Sequence, residues 1–402
     1  MTPVSAERVY VANGVVRWAC ERAFWPLFFT RLVTDVELSP LQLVLLGTVY
    51  EAAIFLSEIP TGVVADVYSR RLSVIISYLL GGIAFGLSAF VEDYALLVAS
   101  QVLVGVASTF HSGAETAWIT DEVGSARESE PIILRRSQIQ FLAAIAGIGV
   151  FSALAALTSL SVAVAATGFC LFAWGIVLLA IMPEHGFTRN EGEGWAEFFA
   201  TLGDGWRQVK RVGALRILAT VIVIGGIAKE AIDRLDIQRL VDVGFPDDVN
   251  EAVVVGVLVA VRLLIAAGLL AVARRRISGE SVVPAMALFL AVTAAGIGVL
   301  AHVELLWLAA IGMVVQGGFH SATQPLVEVW TNTFASDSAR ATTHSFMGQS
   351  ESIGEVIGGI SLGAVAEVFT VPTAMTISLL LFVGATMLTL TARAVWSHPA
   401  GT

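Results

Sequence analysis

The ten residues Gly62-Val63-Val64-Ala65-Asp66-Val67-Tyr68-Ser69-Arg70-Arg71 lie between two apolar runs that are each long enough to cross a membrane. This stretch, the hinge segment, contains an acidic residue, a glycine four positions before it and an arginine pair that begins four positions after it. Charged residues are costly in a bilayer unless they lie at its surface or pair with other groups. The segment therefore predicts a charged connection that opens and closes at the membrane surface.

The composition predicts an integral membrane protein. The 402 residues are 56% hydrophobic and 14% charged, whereas soluble domains contain about 25% charged residues. A membrane-spanning helix needs roughly 20 mostly apolar residues, and twelve runs of this kind follow one another along the chain. They occupy residues 10–33, 42–64, 72–91, 95–118, 132–157, 159–182, 214–237, 250–273, 281–301, 305–330, 342–367 and 371–395.

The twelve spans predict an all-α membrane protein made of two pseudo-symmetric halves. A long polar connection separates an N-terminal six-helix bundle (1–183) from a C-terminal six-helix bundle (214–402). The linker between them (184–213) has hydrophobic residues at helical spacing, which is typical of an amphipathic helix in the membrane interface. His111-Ser112 and His320-Ser321 occupy matching places in the fourth and tenth spans, and such repeats predict a cavity between the halves.

Positive charges recur in alternate connections, and this pattern predicts the orientation of the protein. Cytoplasmic loops are rich in Lys and Arg, so both termini and the linker are expected in the cytoplasm. Arg31 and Arg239, at helix ends, are exceptions to the pattern. We expect Arg31 and Asp236 to lie at the outer interface, in contact with water.

The hinge segment, the six-plus-six layout and the cytoplasmic linker together resemble the major facilitator superfamily. The resemblance covers essentially the whole chain. The superfamily motif Gly-x-x-x-Asp-x-x-x-Arg-Arg/Lys is matched by Gly62, Asp66, Arg70 and Arg71. The resemblance implies that these four residues form a cytoplasmic gate. Glu58–Thr61 and Ser112–Trp118 resemble a bacterial drug-efflux-like branch of the superfamily, and this resemblance implies that the protein lies in the inner membrane of a bacterium.

Some features of the sequence qualify this resemblance. Ala271 stands where a second copy of Asp66 would lie, so the acid of the motif is present in one half only. The fifth span has Gly147 and Gly149 without the proline of the Gly-Pro-x-x-Gly-Gly element that antiporters of the superfamily tend to carry. At Gly62 we expect a close approach of the second and eleventh helices, because small residues let membrane helices pack tightly.

Ionisable residues inside spans mark transport pathways or proton relays by default. Removal from water favours a protonated carboxyl group, and a nearby arginine favours the ionised one, so a carboxylate that alternates between such surroundings can carry protons. The candidates for proton coupling are Glu21, Glu51 and Glu351. The resemblance implies a central cavity, whose candidate residues are Arg17, Arg22, Lys229, Glu230, Asp233, Arg262, Gln316 and His320.

Simpler roles remain open for several of these groups. In two pairs of residues spaced four apart, the simpler role is that the two charges of each pair neutralise one another and do nothing more. These pairs are Arg17–Glu21 and Glu230–Arg234. The matched histidines, His111 and His320, are expected to pack between helices, and titration near neutral pH is the alternative. Arg135 and Arg136 are expected to extend to the cytoplasmic surface. Glu115 and Glu328 are expected to be gate or anchor residues rather than substrate ligands.

These features favour a secondary active transporter that exports a small amphipathic compound in exchange for protons. Proton-coupled uptake of a charged or zwitterionic metabolite is the first alternative, because buried charges of both signs are present. A sensor or scaffold built on a transporter fold is another. We expect no enzymatic activity, cofactor, metal or nucleic-acid partner. The expected partners are a small-molecule substrate and the lipid bilayer, with the protein as a monomer and an ion gradient, of protons, as the driving force.

Overall fold

The computed structural model describes residues 5–188, 194–277, 279–336 and 340–396, and these contain helices and connections but no strand. The helices are α1 (Ala6–Thr34), α2 (Pro40–Val63), α3 (Arg70–Phe90), α4 (Tyr94–His111), α5 (Ala114–Val123), α6 (Ala126–Leu157), α7 (Leu160–Ile181), α8 (Gly194–Arg211), α9 (Gly213–Val243), α10 (Glu251–Arg276), α11 (Val282–His302), α12 (Leu306–Ser321), α13 (Gln324–Phe334), α14 (Arg340–Val368) and α15 (Val371–Trp396). A π-helical turn, Val64–Tyr68, continues α2.

Each predicted span corresponds to a helix or to a pair of consecutive helices. Within the described residues, eight spans are long and apolar enough to cross a membrane, or nine if the pair α8–α9, bent by 117°, counts as one. Charged residues are spread along α1 and α14, and α12 has only 16 residues. The helices that are less apolar are thus largely those in which the sequence places ionisable groups. The side chains of 194–202, which include much of the predicted amphipathic face of α8, lie outside the described residues.

The fourth and tenth predicted spans are each interrupted just after a histidine. The first interruption separates α4 from α5 at Ser112 and Gly113, where Gly113 has a φ of 73° that residues with a side chain rarely adopt. The second separates α12 from α13, and Pro325 lies in the first turn of α13, where its missing N–H costs no helical hydrogen bond. The two interruptions share one place in the repeat.

The chain forms two compact units. Unit 1 comprises Met1–Glu37, Val49–Trp195 and Asp247–Ala260, and unit 2 comprises Leu38–Thr48, Ala196–Pro246 and Val261–Thr402. In unit 1, α1 packs on α6 and α7, and α3 packs on α7 and α4. In unit 2, α9 packs on α14 and α15, and α11 packs on α15 and α12. The same packing scheme therefore occurs in each unit.

A buried arginine caps the end of a helix in each unit. In unit 1, Arg31 is 2% exposed and donates to the Ser161 hydroxyl at 2.9 Å and to the carbonyl of Val91, just after α3, at 3.1 Å. In unit 2, Arg239 is 4% exposed and donates to the carbonyl of Leu300 in the last turn of α11 at 3.2 Å. The carbonyls at a helix C-terminus lack helical partners and favour a cation. The expectation that Arg31 contacts water is therefore wrong.

Candidate functional site

The hinge segment is anchored to α5 by Arg70. Asp66 lies in the π-helical turn, and its carboxylate is 3.6 Å from the Arg70 guanidinium. Arg70 also pairs with Asp121 and donates to the carbonyl of Ala117 at 3.0 Å, both on α5. Isolated π-turns within helices frequently occur at functional sites. Asp121 escaped the sequence analysis because only the fold brings α5 to the start of α3.

The second arginine of the motif has different partners. The guanidinium of Arg71 donates to the carbonyl of Leu179, in the last turn of α7, at 2.6 Å. The backbone N–H of Arg71 donates to Glu184 at 2.9 Å, and the Ser69 hydroxyl donates to the same carboxylate. The hinge segment therefore contacts two elements. Arg70 binds α5, and Arg71 binds the end of α7 and the chain that follows it.

Gly62 is the position at which a close approach of the second and eleventh helices is expected. A Cβ atom added to Gly62 would meet no heavy atom of the described residues within 4 Å. The glycine lies at the end of α2, directly before the π-helical turn, and the space beside it is open. The approach of the two helices at Gly62 stays a prediction.

Unit 1 contains a cavity of about 320 Å³ that combines an ion pair with aromatic surface. Arg17 and Glu21, whose side chains are 2.7 Å apart, lie on its wall, and Arg17 also donates to the Ser77 hydroxyl at 3.3 Å. The other lining residues are Trp18, Trp25, Tyr50, Phe85, Val104, Ser108, His111 and Ser112. Arg17 and Glu21 therefore both line this cavity of unit 1. Arg22 is exposed and lies 4.5 Å from the centre of the Trp18 ring, and Glu51 is half-buried on α2.

A second charged group of unit 1 lies deeper than Arg17 and Glu21. Glu115 is 2% exposed, forms an ion pair with Arg136 of α6 and lies 3.3 Å from Nε2 of His111. Arg136 is itself buried and lies 4.2 Å from the centre of the Tyr10 ring. The expectation that Arg136 extends to the cytoplasmic surface is wrong, because α6 turns this side chain towards Glu115. Arg135 is exposed and pairs with Glu7.

Unit 2 contains a cluster of buried and half-buried charges on α9, α10 and α14. The ammonium of Lys229 lies 3.1 Å from Asp233 and 2.9 Å from Glu355. The guanidinium of Arg262 lies 3.7 Å from Asp233 and 3.8 Å from Asp236. Asp236 is 3% exposed, so the expectation that it contacts water is wrong: Arg262 supplies a counter-charge within the protein instead. The sequence alone did not indicate these contacts between helices.

Another pair in the same unit stays within one helix. Glu230 is 1% exposed, and its carboxylate accepts a hydrogen bond from Arg234 at 3.0 Å. This is the arrangement that spacing four residues apart predicts, and it neutralises the two charges locally.

Unit 2 also encloses a cavity, of about 190 Å³, beside α12, α13 and α14. Its wall includes His320, His344, Glu328 and Glu351, and Glu351 accepts a hydrogen bond from Gln324 at 2.9 Å. Neither ring nitrogen of His320 has a hydrogen-bond partner among the described residues, and its ring packs 5.5 Å from that of Phe382. Gln316 is buried, and its amide nitrogen likewise has no partner in the described part of the chain.

The fold agrees with comparisons to known proteins. The sequence model of the Major Facilitator Superfamily matches residues 10–359. An uncharacterized MFS-type transporter of Bacillus subtilis, YxaM, is 23% identical over 119 residues, which is 30% of this chain and 30% of that protein.

Solved structures extend the likeness over nearly the whole chain. The nucleoside transporter NupG has a TM-score of 0.78 at 12% identity and covers 98% of this chain and 99% of its own. A POT family transporter in complex with 5-aminolevulinic acid has a TM-score of 0.74 at 11% identity, with 97% and 96% coverage. At such identity these structures show the fold alone. The described helices and the family match over most of the sequence lead to one conclusion: the chain belongs to the Major Facilitator Superfamily of membrane transporters.

Proposed function

We propose that this protein exports a small amphipathic compound in exchange for protons by alternating access. The observation that carries the proposal is the Arg17–Glu21 ion pair in the wall of an aromatic cavity. The volume of about 320 Å³ lies at the lower end of the range of roughly 300–1,000 Å³ for small-molecule sites. Trp18, Trp25 and Tyr50 offer apolar faces, and Glu21 offers a carboxylate.

The ion pair provides a physical basis for coupling. An ionised Glu21 binds Arg17 or a cationic group of the substrate, and a protonated Glu21 binds neither by charge. A proton and a cationic amphipathic compound therefore compete for the same carboxylate, and competition for one group produces exchange. Aromatic faces around the carboxylate add cation–π attraction for such a compound.

The same pair favours a second candidate, uptake of an anionic or zwitterionic metabolite together with protons. Protonation of Glu21 releases the guanidinium of Arg17, which then retains its hydrogen bond to Ser77 and can bind a substrate carboxylate. In this case the proton assists substrate binding, which produces symport. The mixed charges of Lys229, Asp233 and Arg262 in unit 2 also suit a substrate with both signs.

Proteoliposomes with a pH-sensitive dye inside distinguish the two candidates. Amphipathic amines and small carboxylates or amino acids are added outside in turn. Movement of an amine and of protons in opposite directions supports export by exchange. Movement of a carboxylate and of protons in the same direction supports uptake. A protein that moves neither compounds nor protons across the whole panel is a sensor or scaffold, and the transport proposal is then rejected.

Variants connect the signal to the ion pair. Glu21→Gln is expected to abolish proton movement, because the amide binds no proton at accessible pH. Glu351→Gln tests the candidate carboxylate that lines the cavity of unit 2. Glu7→Gln is the matched control, since Glu7 is half-exposed at the start of α1 and pairs with the surface residue Arg135. Uphill transport by both Glu21→Gln and Glu351→Gln would place the coupling elsewhere.

A further inference from the structure

The most deeply buried carboxylate of unit 1 is next to a histidine that lines the cavity. Glu115 lies 3.3 Å from Nε2 of His111, and His111 lines the same cavity as Arg17 and Glu21. Among the described residues, Nδ1 of His111 has no hydrogen-bond partner. The histidine therefore joins the cavity to a carboxylate that the cavity itself does not reach.

We infer that His111 and Glu115 form a second proton-binding site, in which His111 passes protons between the cavity and Glu115. The inference deepens the proposed function, and rests on it for its physiological role. The transfer balances within the two side chains. A proton binds Nδ1 of His111, the proton on Nε2 moves to Glu115, and the ring is left neutral with its proton on Nδ1. Reversal of these steps returns the proton to the cavity.

Charged and aromatic groups on α1, α3 and α6 surround this pair. On α1, Arg17 lies 5.6 Å from the centre of the Tyr78 ring, and that ring of α3 lies edge-on to His111 at 6.1 Å. The hydroxyl of Tyr78 donates to the backbone carbonyl of Asn13 at 2.9 Å. Arg136 of α6 supplies the counter-charge of Glu115.

Arg136 can keep a favourable environment when Glu115 takes up a proton. Its guanidinium lies 4.2 Å from the centre of the Tyr10 ring, a cation–π contact that does not depend on Glu115. The side chain passes directly over Gly14 of α1, where an added Cβ would overlap it. The contacts with Tyr10 and Gly14 therefore fix the position of the Arg136 side chain, and Arg136 stays in the protein interior when Glu115 is protonated.

Unit 2 contains positions that correspond to Glu115 and Arg136, and uncharged residues occupy them. Gly147 of α6 lies against the backbone of Ala19, and Gly358 of α14 lies against that of Ile227. Arg136 precedes Gly147 by as many residues as Met347 precedes Gly358.

The residue of unit 2 that corresponds to Glu115 is identified in the same way, from the matched histidines. Gln324 follows His320 at the spacing at which Glu115 follows His111. The charged pair of unit 1 is thus replaced by Gln324 and Met347 in unit 2. A neutral version of the site is compatible with the packing of this repeat, so the charges have a role other than holding the helices together.

Infrared spectroscopy of the purified, reconstituted full-length protein tests the inference without any substrate. The C=O stretching band of protonated buried carboxyl groups is followed from mildly acidic to mildly alkaline pH. Glu115→Gln is expected to remove one titrating component of this band. His111→Phe, which keeps an aromatic ring beside Tyr78, is expected to move the pH midpoint of that component by about one pH unit, because a close polar partner of the carboxyl group is lost.

Two further variants secure the interpretation. Glu115→Gln combined with Arg136→Met copies the residues of unit 2 and removes both members of the ion pair, and it is expected to lose the same component. Glu7→Gln removes an exposed carboxylate and is expected to leave that component intact. Identical titrations of the wild-type protein and both Glu115 variants overturn the inference, as does an unchanged midpoint in His111→Phe. Since no flux is measured, the outcome is separate from that of the transport assay.

Discussion

Removal of the Asp121 carboxylate is expected to loosen α5 far more than removal of the Asp66 carboxylate, although Asp66 is the acid of the superfamily motif. Both acids contact Arg70, but in different surroundings. The Asp66 side chain is 46% exposed and 3.6 Å from the guanidinium. The Asp121 side chain is 22% exposed and makes a direct charged hydrogen bond to the same group.

The magnitudes follow from these geometries. An exposed ion pair contributes about 0.2–1 kcal/mol, whereas a hydrogen bond to a charged group contributes about 1.5–3 kcal/mol. A factor of ten in an opening equilibrium corresponds to about 1.4 kcal/mol. Asp121→Ala is therefore expected to raise the local opening of α5 by roughly 10- to 100-fold, and Asp66→Ala by less than about fivefold.

Hydrogen–deuterium exchange of the α5 backbone amides, Ala114–Val123, measures this opening directly. Alanine is the best helix former, so a faster exchange in Asp121→Ala reports the lost contact rather than an unfavourable residue. Arg71→Gln is the matched control, because the Arg71 guanidinium donates to Leu179 of α7 and not to α5. It is expected to leave the exchange of α5 unchanged.

Two results would refute the reasoning. An exchange rate in Asp66→Ala that equals or exceeds that in Asp121→Ala would show that the exposed motif acid, and not the α5 acid, holds Arg70 in place. Faster α5 exchange in Arg71→Gln would show that the two arginines act as one unit.

Three other substitutions test the buried charges through the thermal unfolding midpoint of the purified protein. Arg31→Met is expected to cost about 2–4 kcal/mol, because helix-end carbonyls lose a charged donor, and a cost near zero would contradict the capping role. Lys229→Met is expected to cost about 3–5 kcal/mol, because the buried Glu355 and the half-buried Asp233 lose their shared cation, and the same substitution at the exposed Lys210 should have little effect. Gly317→Ala is expected to cost about 1 kcal/mol, because the new Cβ displaces Arg262, whereas Gly62→Ala, with open space beside it, should leave the midpoint unchanged.

Several contacts were predictable because they depend on one helix only. Residues four apart lie on one helix face, and the pairs Arg17–Glu21 and Glu230–Arg234 are formed as this spacing predicts. The interruption of the tenth span coincides with Pro325, which is a local signal for a break in a helix. Its counterpart in the fourth span was not predicted, although Gly113 was a local signal.

Contacts between helices were the least predictable. Arg136 and Arg31 were both expected to contact water, since arginines near the ends of spans usually extend to the membrane surface. Each is buried instead, because a neighbouring helix supplies a carboxylate or free carbonyls at that depth. The choice between these outcomes depends on how α6 and α1 are rotated about their axes, and helix rotation is set by packing.

The sequence by itself determined the class of the protein, the number and bounds of its predicted spans and the motif that relates it to its superfamily. These properties depend on hydrophobicity and local spacing, which act along the chain. Only the tertiary structure decided which charges meet: Arg70 with Asp121, Glu115 with Arg136 and Lys229 with Glu355. Each of these contacts joins two helices, and a buried charge takes whichever partner the packed helices bring within reach.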